Sequence, residues 1–174
     1  GGEARRSYSE SGLKQALATG LFDDGGPICR SPEKLGYLIQ TLAMLQKVYA
    51  ARGERIDPWL AAALEEAVAL YGALILGDGG LSSWQGGVPL AKADVDTLLR
   101  GAPVRTRPKR QSFDWGYQRL ENGRTSLIMD AAPPPIGAAS DTGCASTLGF
   151  EMSDGPYRLI VNCGGAGAGG AGGG

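Results

Sequence analysis

Two aspartate–glycine corners bracket a helical hairpin in this chain, and no other feature restricts its fold so strongly. The first is Asp24-Gly25-Gly26-Pro27-Ile28-Cys29-Arg30-Ser31-Pro32; the second is Gly77-Asp78-Gly79-Gly80-Leu81-Ser82-Ser83-Trp84-Gln85-Gly86-Gly87. Paired glycines admit backbone angles that other residues avoid, so each run turns the chain sharply. Gly25, Gly26, Gly79 and Gly80 supply the bends. Asp24 and Asp78 are expected to hold them through side-chain bonds to backbone two residues on. One corner before the hairpin and one after it fall at the same end of a helical layer, which is how a groove for an extended polar ligand is built. Neither run has the GxxxxGK[ST] or GxGxxG spacing of a phosphate cradle.

The hairpin is written in three- and four-residue steps. Ser31 is a good N-cap, and Pro32 suits the first helical position, where its missing N–H is not needed. Leu35, Leu38, Ile39, Leu42, Leu45, Val48 and Tyr49 then form one apolar stripe, which Gly53 stops. Asp57-Pro58 repeats the start signal. Leu60, Leu64, Val68, Tyr71, Leu74 and Ile75 carry a second stripe that ends at Gly77. The short link makes the pair antiparallel. Ser11 to Leu21 reads as part of an earlier helix, and Ala93 to Leu99 as a short later one.

Beyond residue 102 the period changes from helical to alternating. Tyr117 to Glu121 and Arg124 to Met129 flank Asn122-Gly123, a strong hairpin signal because both turn positions favour positive φ. Thr147 to Met152 and Tyr157 to Asn162 flank a second turn at Ser153-Asp154-Gly155-Pro156, with a Pro- and Gly-rich loop over 131–143 between the pairs. The expected class is therefore α+β. A helical-hairpin part spans 1–102, a linker 103–112, an antiparallel β part 113–163 and a Gly/Ala tail 164–174. The basic residues Arg105, Arg107, Lys109 and Arg110 sit among prolines and read as a solvated linker.

Charge and cysteine usage remove several functions. The formal net charge is −1 over 174 residues, which argues against a general nucleic-acid binder. No apolar run is long enough to span a bilayer as a helix, so no membrane insertion is expected. Cys29, Cys144 and Cys163 have no metal-ligand spacing, and the chain contains no histidine, so no metal site is expected. Cys163 reads as a small buried residue closing a β-branched run.

The strings DGGPICRSPEKL, GDGGLSSWQGG, GYQRLENGRTSLIMDAAPPP and GFEMSDGPYRLIVNCG, in that order, resemble bacterial heparinase II/III-like proteins over roughly residues 10–163. The resemblance implies an α/α toroid followed by an antiparallel β-sandwich, of which this chain is an internal slice: the end of one and the start of the other. It also implies a lyase that cleaves uronic-acid polymers by β-elimination, in the periplasm or cell envelope, with no cofactor. Such chemistry neutralises the uronate carboxylate, removes the C5 proton with a Tyr or His, and protonates the leaving oxygen. The alternatives are a non-catalytic carbohydrate-binding relative and a purely structural one.

At the motif positions the sequence departs from the family. Where the family commonly has His after the first corner, this chain has Pro27. Where many lyases carry Tyr-His after the Ser-Pro, it has Lys34 and Leu35, and Gln85 replaces a frequent Asn. Catalytic residues therefore stay unassigned, with Tyr or Lys the local bases available. The candidate substrate-binding residues are Arg30, Gln85 and Trp84. Arg30 has a planar fork suited to a carboxylate, or equally to a salt bridge with Asp24 or to loop carbonyls. Gln85 is an amide donor or a solvated loop residue, and Trp84 is a surface on which a sugar can stack. Trp59, Tyr37 and Tyr71 fall on helix faces and read as packing residues, and Lys34 as a solvated charge.

Overall fold

The computed structural model describes residues 2–140 and 143–162, so Cys163 and the Gly/Ala tail lie outside the described residues. The element order is α1 (Gly2–Gly20), α2 (Pro32–Ala51), α3 (Pro58–Ala73), α4 (Lys92–Gly101), β1 (Tyr117–Asn122), β2 (Thr125–Asp130), a single 3-10 turn (Gly137–Ala139), β3 (Phe150–Asp154) and β4 (Tyr157–Ile160). The chain is α+β, four helices followed by a four-stranded antiparallel sheet in the order β1-β2-β3-β4.

The hairpin stripes bury as a pair. Leu35, Ile39 and Leu42 of α2 and Leu60, Leu64, Leu70 and Tyr71 of α3 are all without exposure. Each fully buried leucine contributes about 1.5–3 kcal/mol relative to an exposed one. Pro32 and Pro58 open their helices, yet Ser31 and Asp57 make no side-chain cap bond. Ser31 is buried instead, and Asp57 accepts a bond from the Trp59 indole at 3.1 Å. Helix α1 starts earlier than the sequence suggests and has no buried residue. It is held at its rim by the Arg6–Glu54 ion pair, by the Tyr49 hydroxyl donating to Glu10 at 2.8 Å, and by Lys14 above the Trp59 ring.

The first β-hairpin turns one residue later than its strongest signal, and the second turns within the four residues expected. Asn122 pairs with Thr125, so Gly123 and Arg124 make the first turn; Asp154 pairs with Tyr157, so Gly155 and Pro156 make the second. Both glycines lead their turns with positive φ, 58° and 52°. The third strand starts at Phe150 rather than Thr147, because Leu148 adopts φ 66° and ends any extended run before it.

The linker is more than a solvated tether. The Lys109 N–H donates to the Ala69 carbonyl at 2.9 Å, its ammonium pairs with Glu66, and Arg110 pairs with Glu121 at 2.6 Å. Arg105 and Arg107 stay exposed. Trp115, Tyr117 and Ile128 from the β part join the buried cluster of α2 and α3, so the helical layer and the sheet share one core.

Candidate functional site

The corners are the same turn built twice. In the first, the Phe22 N–H donates to Gly26 at 2.7 Å and the Gly25 N–H to Phe22 at 2.9 Å. In the second, the Leu76 N–H donates to Gly80 and the Gly79 N–H to Leu76, both at 2.9 Å. Gly25 and Gly79 take φ 87° and 81°. The Asp24 carboxylate accepts from the Gly26 N–H at 3.3 Å, and Asp78 from Gly80 at 2.9 Å. Their second oxygens reach the β part: Asp24 accepts from the N–H groups of Asp114 and Trp115, and Asp78 from the Arg158 guanidinium at 2.7 Å. Gly26 has a further reason to lack a side chain, since a Cβ there would lie 2.1 Å from Cγ of Trp115.

Each corner ends in a non-glycine residue held in the left-handed region, Arg30 at φ 56° and Gln85 at φ 46°. Their side chains converge on one carboxylate. Arg30 pairs with Asp130 Oδ1, and Gln85 Nε2 donates to Asp130 Oδ2 at 3.0 Å. Ser146 donates to the same Oδ2 at 2.6 Å, and Gln85 Oε1 accepts from the Cys144 N–H at 2.8 Å. Arg30 also donates to the carbonyls of Trp115 (2.9 Å), Ala132 (3.2 Å) and Pro133 (2.8 Å). Arg30, Gln85 and Asp130 are 2%, 1% and 0% exposed, so these bonds satisfy charges and amides that have no water.

These contacts correct the substrate-binding expectation. Arg30 and Gln85 do point toward each other, across the joint between helices and sheet, and Arg30 there backs a pocket of about 410 Å³ closed by Phe22, Ile28 and Pro133. A buried guanidinium already committed to a carboxylate and three carbonyls has no fork to offer a uronate. Trp84 is equally unavailable: 1% exposed, it lies 5.7 Å from the Tyr117 ring and its indole donates to Ser82. Tyr117 completes the joint by donating to the Arg30 carbonyl at 2.8 Å while the guanidinium lies over its ring. Burial first, then the Asp130 charge, push its phenol well above the usual range.

A second buried carboxylate stands on the next strand. Glu151 accepts from the Ser83 N–H at 2.9 Å, while its other oxygen has no hydrogen bond and only a 3.7 Å approach from Arg158. Burial raises its pKa. Asp130, Ser146 and Glu151 went unassigned in the sequence. The signal available was alternation: Ser126, Ile128 and Asp130 share the inward face of β2, and an inward aspartate needs a cation.

A separate pocket of about 380 Å³ opens between α2 and α4. Glu33, Tyr37 and Gln40 line one side, Asp94 and Thr97 the other, and Tyr71 lies within it. The Tyr37 hydroxyl donates to Glu33 at 2.8 Å. Burial, and after it the Asp94 charge, push the Tyr71 phenol up to about 12. Among the described residues no cluster of His, Cys, Asp and Glu is arranged to hold a metal, and no helix is long and apolar enough to cross a membrane.

Comparison with known proteins follows the same division of the chain. Residues 104–172 match the family described as heparinase II/III-like, C-terminal. That match takes in the linker and the β part of the chain, which are similar to the heparinase II/III-like family. The fold agrees: a heparinase III with methylated lysines superimposes with a TM-score of 0.68 over 87% of this chain and 27% of its own, at 15% identity. At that identity the likeness shows the fold alone. FtsZ-localized protein C of Caulobacter vibrioides (strain NA1000 / CB15N) is 31% identical over 144 residues, covering 83% of this chain and 25% of that protein. The chain thus spans about a quarter of the length of both.

Proposed function

We propose that this chain is the helix-to-sheet joint of a heparinase II/III-like protein that works beside FtsZ and does not cleave glycans. The observation that carries the proposal is what stands at the positions where the resemblance places acid–base residues. They hold Pro27, Lys34 and Leu35, and Leu35 is buried without exposure in the core. Leucine and proline move no protons, and the Lys34 ammonium lies over the Tyr37 ring. The other groups β-elimination requires are also engaged elsewhere: Arg30 and Gln85 on Asp130, Tyr117 on a backbone carbonyl, and Tyr71 is held protonated by burial. The relative with the FtsZ-localized name supports the location, at twice the sequence identity of the heparinase III.

A second reading, a lyase of uronic-acid polymers, is favoured by the family match and the heparinase III fold. It requires a carboxylate-neutralising group from outside this chain, a base either from there or at Lys34 or Tyr37, and an acidic polysaccharide as substrate. The two are separated by measuring both properties on the full-length protein. Under the proposal, a fluorescent fusion coincides with FtsZ in cells. Purified protein then gives no ultraviolet absorbance of unsaturated uronate from heparan sulfate, alginate or hyaluronan. Steady formation of unsaturated product would replace the first reading with the second.

A further inference from the structure

We propose that the pocket between α2 and α4 binds an amino sugar, through a free ammonium and neighbouring hydroxyls. This site goes beyond the functional reading above and does not depend on it.

The sign of the pocket comes first. Glu33 and Asp94 are carboxylates near the first turns of α2 and α4, and no lysine or arginine lines the cavity. The cations beside the lining have other partners: Lys34 lies 5.6 Å above the Tyr37 ring, Lys92 pairs with Asp96 at 2.7 Å, and Arg100 donates to the Thr97 hydroxyl at 3.1 Å. A uronate or phosphate entering here meets two like charges, whereas an ammonium meets two opposite ones.

A second, independent observation concerns Tyr71. Its side chain is fully buried, and its hydroxyl has no hydrogen-bond partner. That hydroxyl lies against the pocket lining beside Gly36, where an added Cβ would sit 3.8 Å from it and 3.4 Å from the ring. Buried hydroxyls are normally paired, so a lone one on a residue that lines a pocket marks a place for a ligand acceptor. The phenol keeps its proton to about pH 12, so at neutral pH it has an O–H to donate to an oxygen such as a sugar hydroxyl.

The rest of the lining suits the same ligand. Tyr37 and Val88 are 52% and 58% exposed at the rim and offer an apolar platform for a pyranose face. The Gln40 amide, on an exposed residue, supplies a donor and an acceptor beside it. A volume of about 380 Å³ is at the low end for ligand pockets, the size of one sugar unit rather than a chain.

The test is a calorimetric or NMR titration of the full-length protein with glucosamine, glucose, glucuronate and Nα-acetyl-lysine amide at low salt. Glucosamine is expected to bind about fivefold more tightly than glucose, the size of one partly exposed ion pair, with glucuronate showing no saturable binding. Asp94→Asn should erase the preference for glucosamine over glucose. Tyr71→Phe should weaken glucosamine about fivefold, one hydrogen bond's worth, without lowering the melting temperature, because the hydroxyl has no protein partner to lose. Absent glucosamine binding, equal binding of glucose and glucosamine, or undiminished binding by Tyr71→Phe would each overturn the proposal. Lysine amide binding as tightly as glucosamine would overturn the sugar assignment in favour of a basic peptide. Localisation with FtsZ moves with none of these outcomes, so this site and the cellular role fail separately.

Discussion

Asp130 is the residue on which the joint turns, because it holds side chains from both corners and from the 143–149 loop at once. Removing it strands the Arg30 guanidinium in a site with no water. Asp130→Ala is expected to cost about 3–5 kcal/mol in urea unfolding. The double variant Arg30→Met/Asp130→Leu should recover most of that loss, since it removes the stranded charge as well. A double variant as unstable as the single would show that the damage lies elsewhere than in the charge. Glu151 gives a pH signature. Its pKa is raised, chiefly by burial, so the folded state binds its proton more tightly than the unfolded chain does. The ionised form therefore costs stability at neutral pH, and the cost fades as pH falls through the raised value toward about 4.3, the unfolded one. Asp78 has the opposite sign: burial opposes ionisation, but Arg158 and the Gly80 N–H outweigh it and leave the pKa lowered. Its contribution is present above the unfolded value and is lost as pH falls through the folded one. Glu151→Gln should accordingly melt higher than the parent at pH 7, with the gap closing toward pH 4. The corners were legible as turns because Asp-Gly-Gly is a local instruction. The destination of Arg30 was not, because its partner lies 100 residues away.

Helices, strands and turns divide into those whose signals are local and those set by tertiary contacts. Helices α2 and α3 were readable to within a residue or two at most ends, since Pro at the start and a continuous apolar stripe agree. The first hairpin turn slipped by one residue: what decides register is which face of the strand is buried. Here Ser126, Ile128 and Asp130 must face inward. The linker looked solvated because charge and proline are all its sequence displays; the bonds to Ala69 and Glu66 are a property of where α3 lies. The corners make one comparison at this scale decisive. Gly53, at the end of α2, needs a left-handed backbone but faces open space, so Gly53→Ala should cost about 1–2 kcal/mol. Gly26→Ala drives a methyl into the buried Trp115 ring and should cost about 3 kcal/mol or more, since the overpacked indole also holds the joint. Urea midpoints for the two variants, with equal slopes, check the order. The reverse order would mean that the corner can move away from the sheet without loss.

On the scale of the whole molecule the sheet is one-sided. Its inner face is occupied by Tyr117, Ile128, Asp130, Glu151 and Ser153, all buried against the helical layer and its corners. The opposite face carries Leu120 opposite Leu127 and Leu127 opposite Met152, with Phe150 beside Met129. Of these Leu120 is 60% exposed and Phe150 37%, and Tyr157 and Leu159 on β4 add 68% and 56%. A sheet with apolar side chains on both faces is stable in water when a second layer covers the bare one, as in a sandwich. Uncovered, such a face associates. The chain spans about a quarter of the relatives it matches, and the rest of such a protein is where a covering layer would be found. Produced as these 174 residues, the protein should therefore sediment as a concentration-dependent mixture rather than as a single monomer. Leu120→Lys together with Leu159→Lys places charges on the bare face without touching the core, so it should shift the distribution to monomer and leave the melting temperature within a few degrees. A parent chain that stays monomeric across the concentration range would mean that this face is stable uncovered.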